Sequence, residues 1–188
     1  MLKTIKYQST VEMINPSTTD PQEELLTEVD VNDVVIGPIS RKVAHQSPDK
    51  IYRTIYVIVK NQNDEVLIHQ RSSGKDLYPN CWDLSVGGHV GWNQSYPETA
   101  AREIKEELGI AVSENQLKLV GKLLVKLPRS NELFQVFEYR LKPSDKIKIA
   151  SQEINQTKWL TTEEIKESIR KKQLAWYPRP IQVIQSLY

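Results

Sequence analysis

Residues 87–110 read GGHVGWNQSYPETAAREIKEELGI. Ser95 and Glu98 stand at the spacing of a capping box, and Gly109 stands where helices commonly stop. The spacing therefore predicts a helix that ends at Leu108. At 100° per residue, Glu106 and Glu107 fall about 60° to one side and about 40° to the other side of Glu103. The three carboxylates share a face, while Ala101, Ile104 and Leu108 cluster on a separate arc that can meet a core. This arrangement works against the helix. Like charges at i,i+3 and i,i+4 cost about 0.2–0.5 kcal/mol per pair. Negative charge in the last turn opposes the helix dipole by about 0.3–1 kcal/mol per exposed group. Lys105 lies on the far side and neutralises none of it. Two readings compete: a solvated acidic face, or a site for Mg²⁺ or Mn²⁺, which favour carboxylate oxygens. The context favours the second. Gly87-Gly88 upstream brings a backbone carbonyl within reach, Arg102 precedes the first acid, and Gly109 follows the last.

Outward from this helix, the chain reads as strands and turns. RTIYVIVKNQNDEVLIHQRS gives two β-branched runs around the turn NQND. TEVDVNDVVIGPISR predicts a hairpin around Asn32-Asp33, and WDLSVGGHV a strand that ends in the double glycine. LKLVGKLLVKL, LFQVFEYRLK and QTKWL supply three more. Thr161 and Glu164 cap a second helix, and PIQVIQSLY closes the chain as a short terminal one. The order predicts an α/β (α+β) fold, a mixed sheet sandwiched between helices without regular βαβ alternation. Residues 1–27 read as an N-terminal extension of uncertain order, and residues 28–188 as a single domain including the C-terminal helices. The alternatives for residues 1–27 are packing on the domain, mediating a homodimer, or staying mobile.

Composition bounds the function. The chain has 188 residues, 25 basic against 24 acidic, and a formal net charge of +1. That balance gives no electrostatic reason to expect a nucleic-acid polymer or an anionic membrane as partner. No apolar run approaches the roughly 20 residues of a membrane span. The first residues lack the apolar centre of a signal peptide, so the default expectation is cytoplasmic. A single cysteine, Cys81, excludes an internal disulfide framework and a cysteine-based zinc site.

The central stretch resembles the Nudix box: Gly, five residues, Glu, seven residues, then Arg-Glu-apolar-any-Glu-Glu-any-Gly-apolar. Gly88 opens it, and residues 102–110, REIKEELGI, complete it. One specified position departs, where Gln94 stands for the first glutamate; it keeps a carbonyl acceptor and loses the charge. The flanking strands extend the likeness from Leu26 to Leu160. The resemblance implies a Nudix fold and a pyrophosphohydrolase that cleaves a nucleoside diphosphate-type small molecule with Mg²⁺ or Mn²⁺. It further implies that Glu103 orients or deprotonates the water, and that Glu103, Glu106, Glu107 and the Gly88 carbonyl ligate metal. Arg102 holds the carboxylates, and Glu153 is the extra glutamate of a later loop.

The upstream segments are similar to type 1 isopentenyl diphosphate isomerases and their hydrolase relatives. By that likeness Arg71 and Lys75 bind the diphosphate, with His89 as a third candidate; charge-assisted bonds suit that ligand. The isomerase itself fits less well. His45, His89 and Glu132 have counterparts in its metal site, but Tyr52 and Ser130 replace two ligands, and Gly87 replaces the catalytic cysteine. Hydrolase is the expectation. Isomerase and a non-catalytic nucleotide-binding module, the latter because of Gln94, are the alternatives.

Overall fold

A computed structural model describes residues 3–6, 15, 17–127 and 130–188 of the chain. Strand β4 (Ile51–Lys60) is the axis of the sheet. Its sequence IYRTIYVIVK is apolar at both parities, as a strand buried on two faces must be. Tyr56 and Ile58 enter one core, while Ile55, Val57 and Val59 enter the other. Along one edge β4 pairs in parallel with β9 (Asn131–Arg140), from Ile51 opposite Asn131 to Lys60 opposite Arg140.

Three strands share the other edge of β4. These are β2 (Leu25–Val29) at Ile51 and Tyr52, β7 (Val86–His89) at Thr54 to Val57, and β5 (Val66–Arg71) at Lys60 alone. The turn NQND is present, with Asp64 at φ 64°, but the strands it joins part after that single pair. Strand β5 turns to β6 (Trp82–Leu84) and β10 (Ile154–Leu160). Beyond β9 come β8 (Lys118–Lys126) and, parallel to it, β1 (Lys3–Lys6). Strand β2 carries β3 (Val35–Ser40) as the expected hairpin, with Asp33 at φ 68° in its turn.

The single strand expected over WDLSVGGHV is divided at Ser85. Its hydroxyl donates to the Leu67 carbonyl at 2.7 Å and accepts from Val59 N at 2.8 Å. That bridge lets β6 stay on β5 while β7 crosses to β4 and carries the paired glycines to the middle of the sheet.

Helices cover both faces, which gives the mixed-sheet α/β sandwich expected from the sequence. The short α1 (Arg41–Ala44), which the sequence reading missed, follows β3. Helix α2 (Tyr96–Leu108) lays Tyr96, Ala100, Ile104 and Leu108 on the Ile55 face. Helices α3 (Thr162–Arg170) and α4 (Pro178–Leu187) bring Ile165, Val183 and Ile184 to the Tyr56 face. Both expected capping boxes are made, at Ser95 with Glu98 and at Thr161 with Glu164. Gly109 ends α2 at φ 70°, and the last carbonyls of the helix accept from Lys148 N at 2.8 Å and Ala150 N at 3.0 Å. Gly109→Ala should cost about 1–2 kcal/mol, because a side chain there meets both the left-handed backbone and Lys148. Urea titration of the two proteins measures this, and an unchanged midpoint would refute it.

Of the N-terminal extension, residues 1–2, 7–14 and 16 lie outside the described residues. Residues 15 and 17–20 lie along the loop after β5. Asn15 N donates to the Asp76 carbonyl at 2.8 Å, Thr19 N to the Gly74 carbonyl at 3.2 Å, and Asp76 N to Asp20 Oδ2 at 2.8 Å. No described helix is long and apolar enough to cross a membrane.

Candidate active site

The site begins with what two glycines allow. A Cβ on Gly87 would stand 3.1 Å from Tyr56 Cε1, and one on Gly88 would stand 2.3 Å from Glu103 Oε1. Any side chain at 88 would occupy the space of the Glu103 carboxylate, so α2 approaches β7 as closely as bare backbone permits. One turn later Glu107 is buried, at 8% exposure. The acidic face is therefore less separate from the core than the helical wheel suggested. Glu107 and Glu103 point down into the sheet side, with Ala100 rather than Ala101 as the fully buried small residue. Glu106 remains more than half exposed.

Arg102 bridges the acids. Its Nη2 donates to Glu103 Oε1 at 2.8 Å and its Nη1 to Glu106 Oε2 at 2.7 Å. This pairing offsets the like-charge repulsion expected from the sequence. It does not reach Glu107. Burial raises the Glu103 carboxyl to about 7, opposed by Arg102 and reinforced by Glu106. Burial pushes Glu107 well above the ordinary carboxylate range, and the neighbouring Glu103 adds to the effect.

These residues line one wall of a pocket of about 290 Å³. Lys75 and Arg71 line it too, but neither is a bare cation. Lys75 Nζ pairs with Glu153 Oε2 at 2.6 Å and Asp20 Oδ1 at 2.8 Å. Arg71 donates through Nε and Nη2 to the Leu77 carbonyl, pairs with Asp83 at 3.3 Å, and stacks on the Tyr177 ring at 4.7 Å. Glu153 thus joins the site through Lys75. Gln94 accepts from Gly91 N at 3.3 Å and Thr99 Oγ1 at 3.4 Å, so its carbonyl oxygen ties the loop to the start of α2.

His89 sits deeper, in a buried network. Arg41 Nη1 lies 3.4 Å from His89 Nδ1, His89 Nε2 lies 3.2 Å from His45 Nε2, and His45 Nδ1 lies 3.1 Å from Asp76 Oδ2. Arg41 can only donate, so with neutral rings the protons sit on His89 Nε2 and His45 Nδ1. Burial, and then Arg41 and His45, depress the His89 pKa well below the usual histidine range. Arg41 also pairs with Asp20, Glu24 and Asp76 at 3.0–3.2 Å. Beyond this network, Tyr52 and Ser130 donate to Glu132, and Arg179 pairs with the same oxygen. Sequence reading missed Asp20, Arg41, Asp76, Tyr177 and Arg179. The prolines around Arg179 mark a helix start, but nothing in the sequence points its side chain inward.

A divalent cation suits the donor chemistry of the helix acids. Glu103 and Glu107 offer only oxygen; Glu107 is buried, the Glu103 side chain is 14% exposed, and among the described residues no cation pairs with Glu107 as Arg102 does with Glu103. Among the described residues no three acidic, histidine or cysteine groups form a ready-made cage, since Glu103 and Glu106 are turned onto Arg102.

A family model described as the NUDIX domain matches residues 50–180, starting later than the likeness read from the sequence and running on into α4. An uncharacterised Nudix hydrolase of Nostoc sp. is 31% identical over 118 residues, which cover 63% of this chain and 70% of that protein. An isopentenyl-diphosphate Delta-isomerase of Streptomyces coelicolor is 34% identical over 107 residues, 53% of this chain and 54% of its own length. A crystal structure of a Deinococcus radiodurans protein superposes with a TM-score of 0.73 at 25% identity, covering 88% of this chain and 99% of that one.

Proposed function

Because the chain belongs to the Nudix hydrolase family, we propose that it cleaves the diphosphate linkage of a nucleoside diphosphate-type small molecule with Mg²⁺ or Mn²⁺. The observation that carries this reading is the Glu103–Glu107 face against Gly88, where Glu107 is buried and, among the described residues, has no ion-pair partner. Glu103, Glu106, Glu107 and the Gly88 carbonyl would hold the ion. When bound, the ion supplies charge neutralisation at the diphosphate oxygens.

The remaining roles belong to the chain's own groups. Glu103, with a carboxyl near 7, is matched to accept a proton from water close to neutral pH. Arg102 fixes its orientation, and Gly88 lets it lie against the sheet. Lys75 and Arg71 place positive charge on the opposite wall, where a diphosphate would compete with Glu153 and Asp20 for the Lys75 ammonium. His89 is assigned to the buried network that supports this wall rather than to direct catalysis. The isomerase reading lacks its thiol, since Gly87 has no side chain and Cys81 packs beside Tyr78 and Tyr177.

The test is release of phosphate or nucleoside monophosphate from a nucleotide panel with Mg²⁺ or Mn²⁺. Wild type should turn over at least one substrate. Gln94→Glu should lower the metal concentration needed by about ten-fold, as restored outer-shell carboxylates do. No turnover by either protein would overturn the proposal.

A further inference from the structure

The inner end of the pocket holds polar groups that the reaction above does not use. Tyr177 Oη, Thr54 Oγ1 and Arg179 Nε are buried and make no hydrogen bond among the described residues. Tyr177 is 0% exposed and Thr54 is 1% exposed, yet all three residues line the pocket. They come from separate parts of the fold: Thr54 from the middle of β4, Tyr177 and Arg179 from the start of α4. Buried groups of this kind are nearly always satisfied, by protein, by ordered water or by a ligand. Three of them converging on one cavity is the pattern of a recognition surface.

Resting on the hydrolase reading, we propose that Thr54, Tyr177 and Arg179 form a specificity subsite for a neutral, hydroxyl-bearing group joined to the diphosphate, such as a sugar ring. Charge decides between neutral and anionic. The two guanidiniums that lie 4.7 Å from the Tyr177 ring centroid, Arg71 and Arg179, are each already matched by a buried carboxylate, Asp83 and Glu132. What remains is one N–H donor and two hydroxyls that donate or accept, which complements hydroxyl groups. An alkyl or prenyl group in the same place would displace water and leave all three unmet. A site built this way rejects the apolar analogue far more strongly than an apolar pocket rejects a polar one.

The test is calorimetric binding of two uncleavable probes in the presence of Mg²⁺, the glucosyl and the cyclohexyl esters of methylenebisphosphonate. They share the phosphonate end and ring size and differ in hydroxyls. The glucosyl ester should bind wild type at least about ten-fold more tightly. Tyr177→Phe should cut that preference by about ten-fold without lowering the melting temperature, because the hydroxyl it removes holds nothing in the protein. A purely structural tyrosine would show no such loss of preference. Thr54→Val provides the same comparison should the first variant not fold. Equal binding of the two esters, tighter binding of the cyclohexyl ester, binding of neither, or a preference unmoved in both variants overturns the subsite. Turnover of ordinary diphosphates is read separately: its absence with the preference intact overturns the hydrolase reading alone.

Discussion

A Glu107→Gln protein is expected to lose turnover by about 10²–10⁴-fold while folding more stably than wild type at pH 8. The loss follows from removing one of the buried oxygens proposed to hold the ion, at the scale typical of a direct catalytic group. The gain follows from burial. Glu107 is 8% exposed, and burial together with Glu103 raises its pKa well above normal. A group whose folded pKa is raised contributes stability that is present below its unfolded pKa and lost as pH rises through the folded value. Below the ordinary glutamate range the two proteins should therefore be about equally stable. At pH 8 without metal, glutamine should be better by about 1–3 kcal/mol, the cost of an uncompensated buried group. Adding Mg²⁺ should stabilise wild type more than the variant. Urea titrations at the two pH values, with and without Mg²⁺, measure this. Equal turnover, or equal stability at pH 8, would contradict it.

The second large effect concerns folding. Arg179→Ala should destabilise the protein by about 3–5 kcal/mol, because it leaves the Glu132 carboxylate buried and unpaired. Glu132 is 0% exposed, and Arg179 is the cation that pairs with it, beside hydrogen bonds from Tyr52 and Ser130. Adding Glu132→Gln to the variant removes the stranded charge and should recover about half of the loss. The double-mutant cycle then reads a coupling of about 1 kcal/mol or more. A loss below about 1 kcal/mol for Arg179→Ala would show that water replaces the guanidinium freely.

The layout of the molecule was legible where local chemistry sets it. The capping boxes at Ser95 and Thr161, the stop at Gly109 and the β-branched runs each act within a few residues, and the structure has them. The β2–β3 hairpin followed from its turn in the same way. The break at Ser85 was not legible, since one hydroxyl bridging Leu67 and Val59 depends on strands that only the fold brings together. The parallel pairing of β4 with β9 likewise leaves no local trace. In the site, the order Arg102, Glu103, Glu106, Glu107 pointed to its own cluster, and the structure places it beside Gly88. The pairing of Lys75 with Asp20 and Glu153 was beyond sequence reading, because pairing partners drawn from residues so far apart follow no periodicity.

Tyr177 and Arg179 follow β7 and α2 in chain order, with a consequence for biosynthesis. As the polypeptide emerges during translation, β7 and α2 are available long before these two residues leave the ribosome tunnel. The acidic half of the cavity can thus form first, and the wall carrying Tyr177 and Arg179 follows when α4 docks on strands already assembled. A nascent chain can bring its helix acids together first, and it adds the wall carrying Tyr177 and Arg179 only once α4 has emerged.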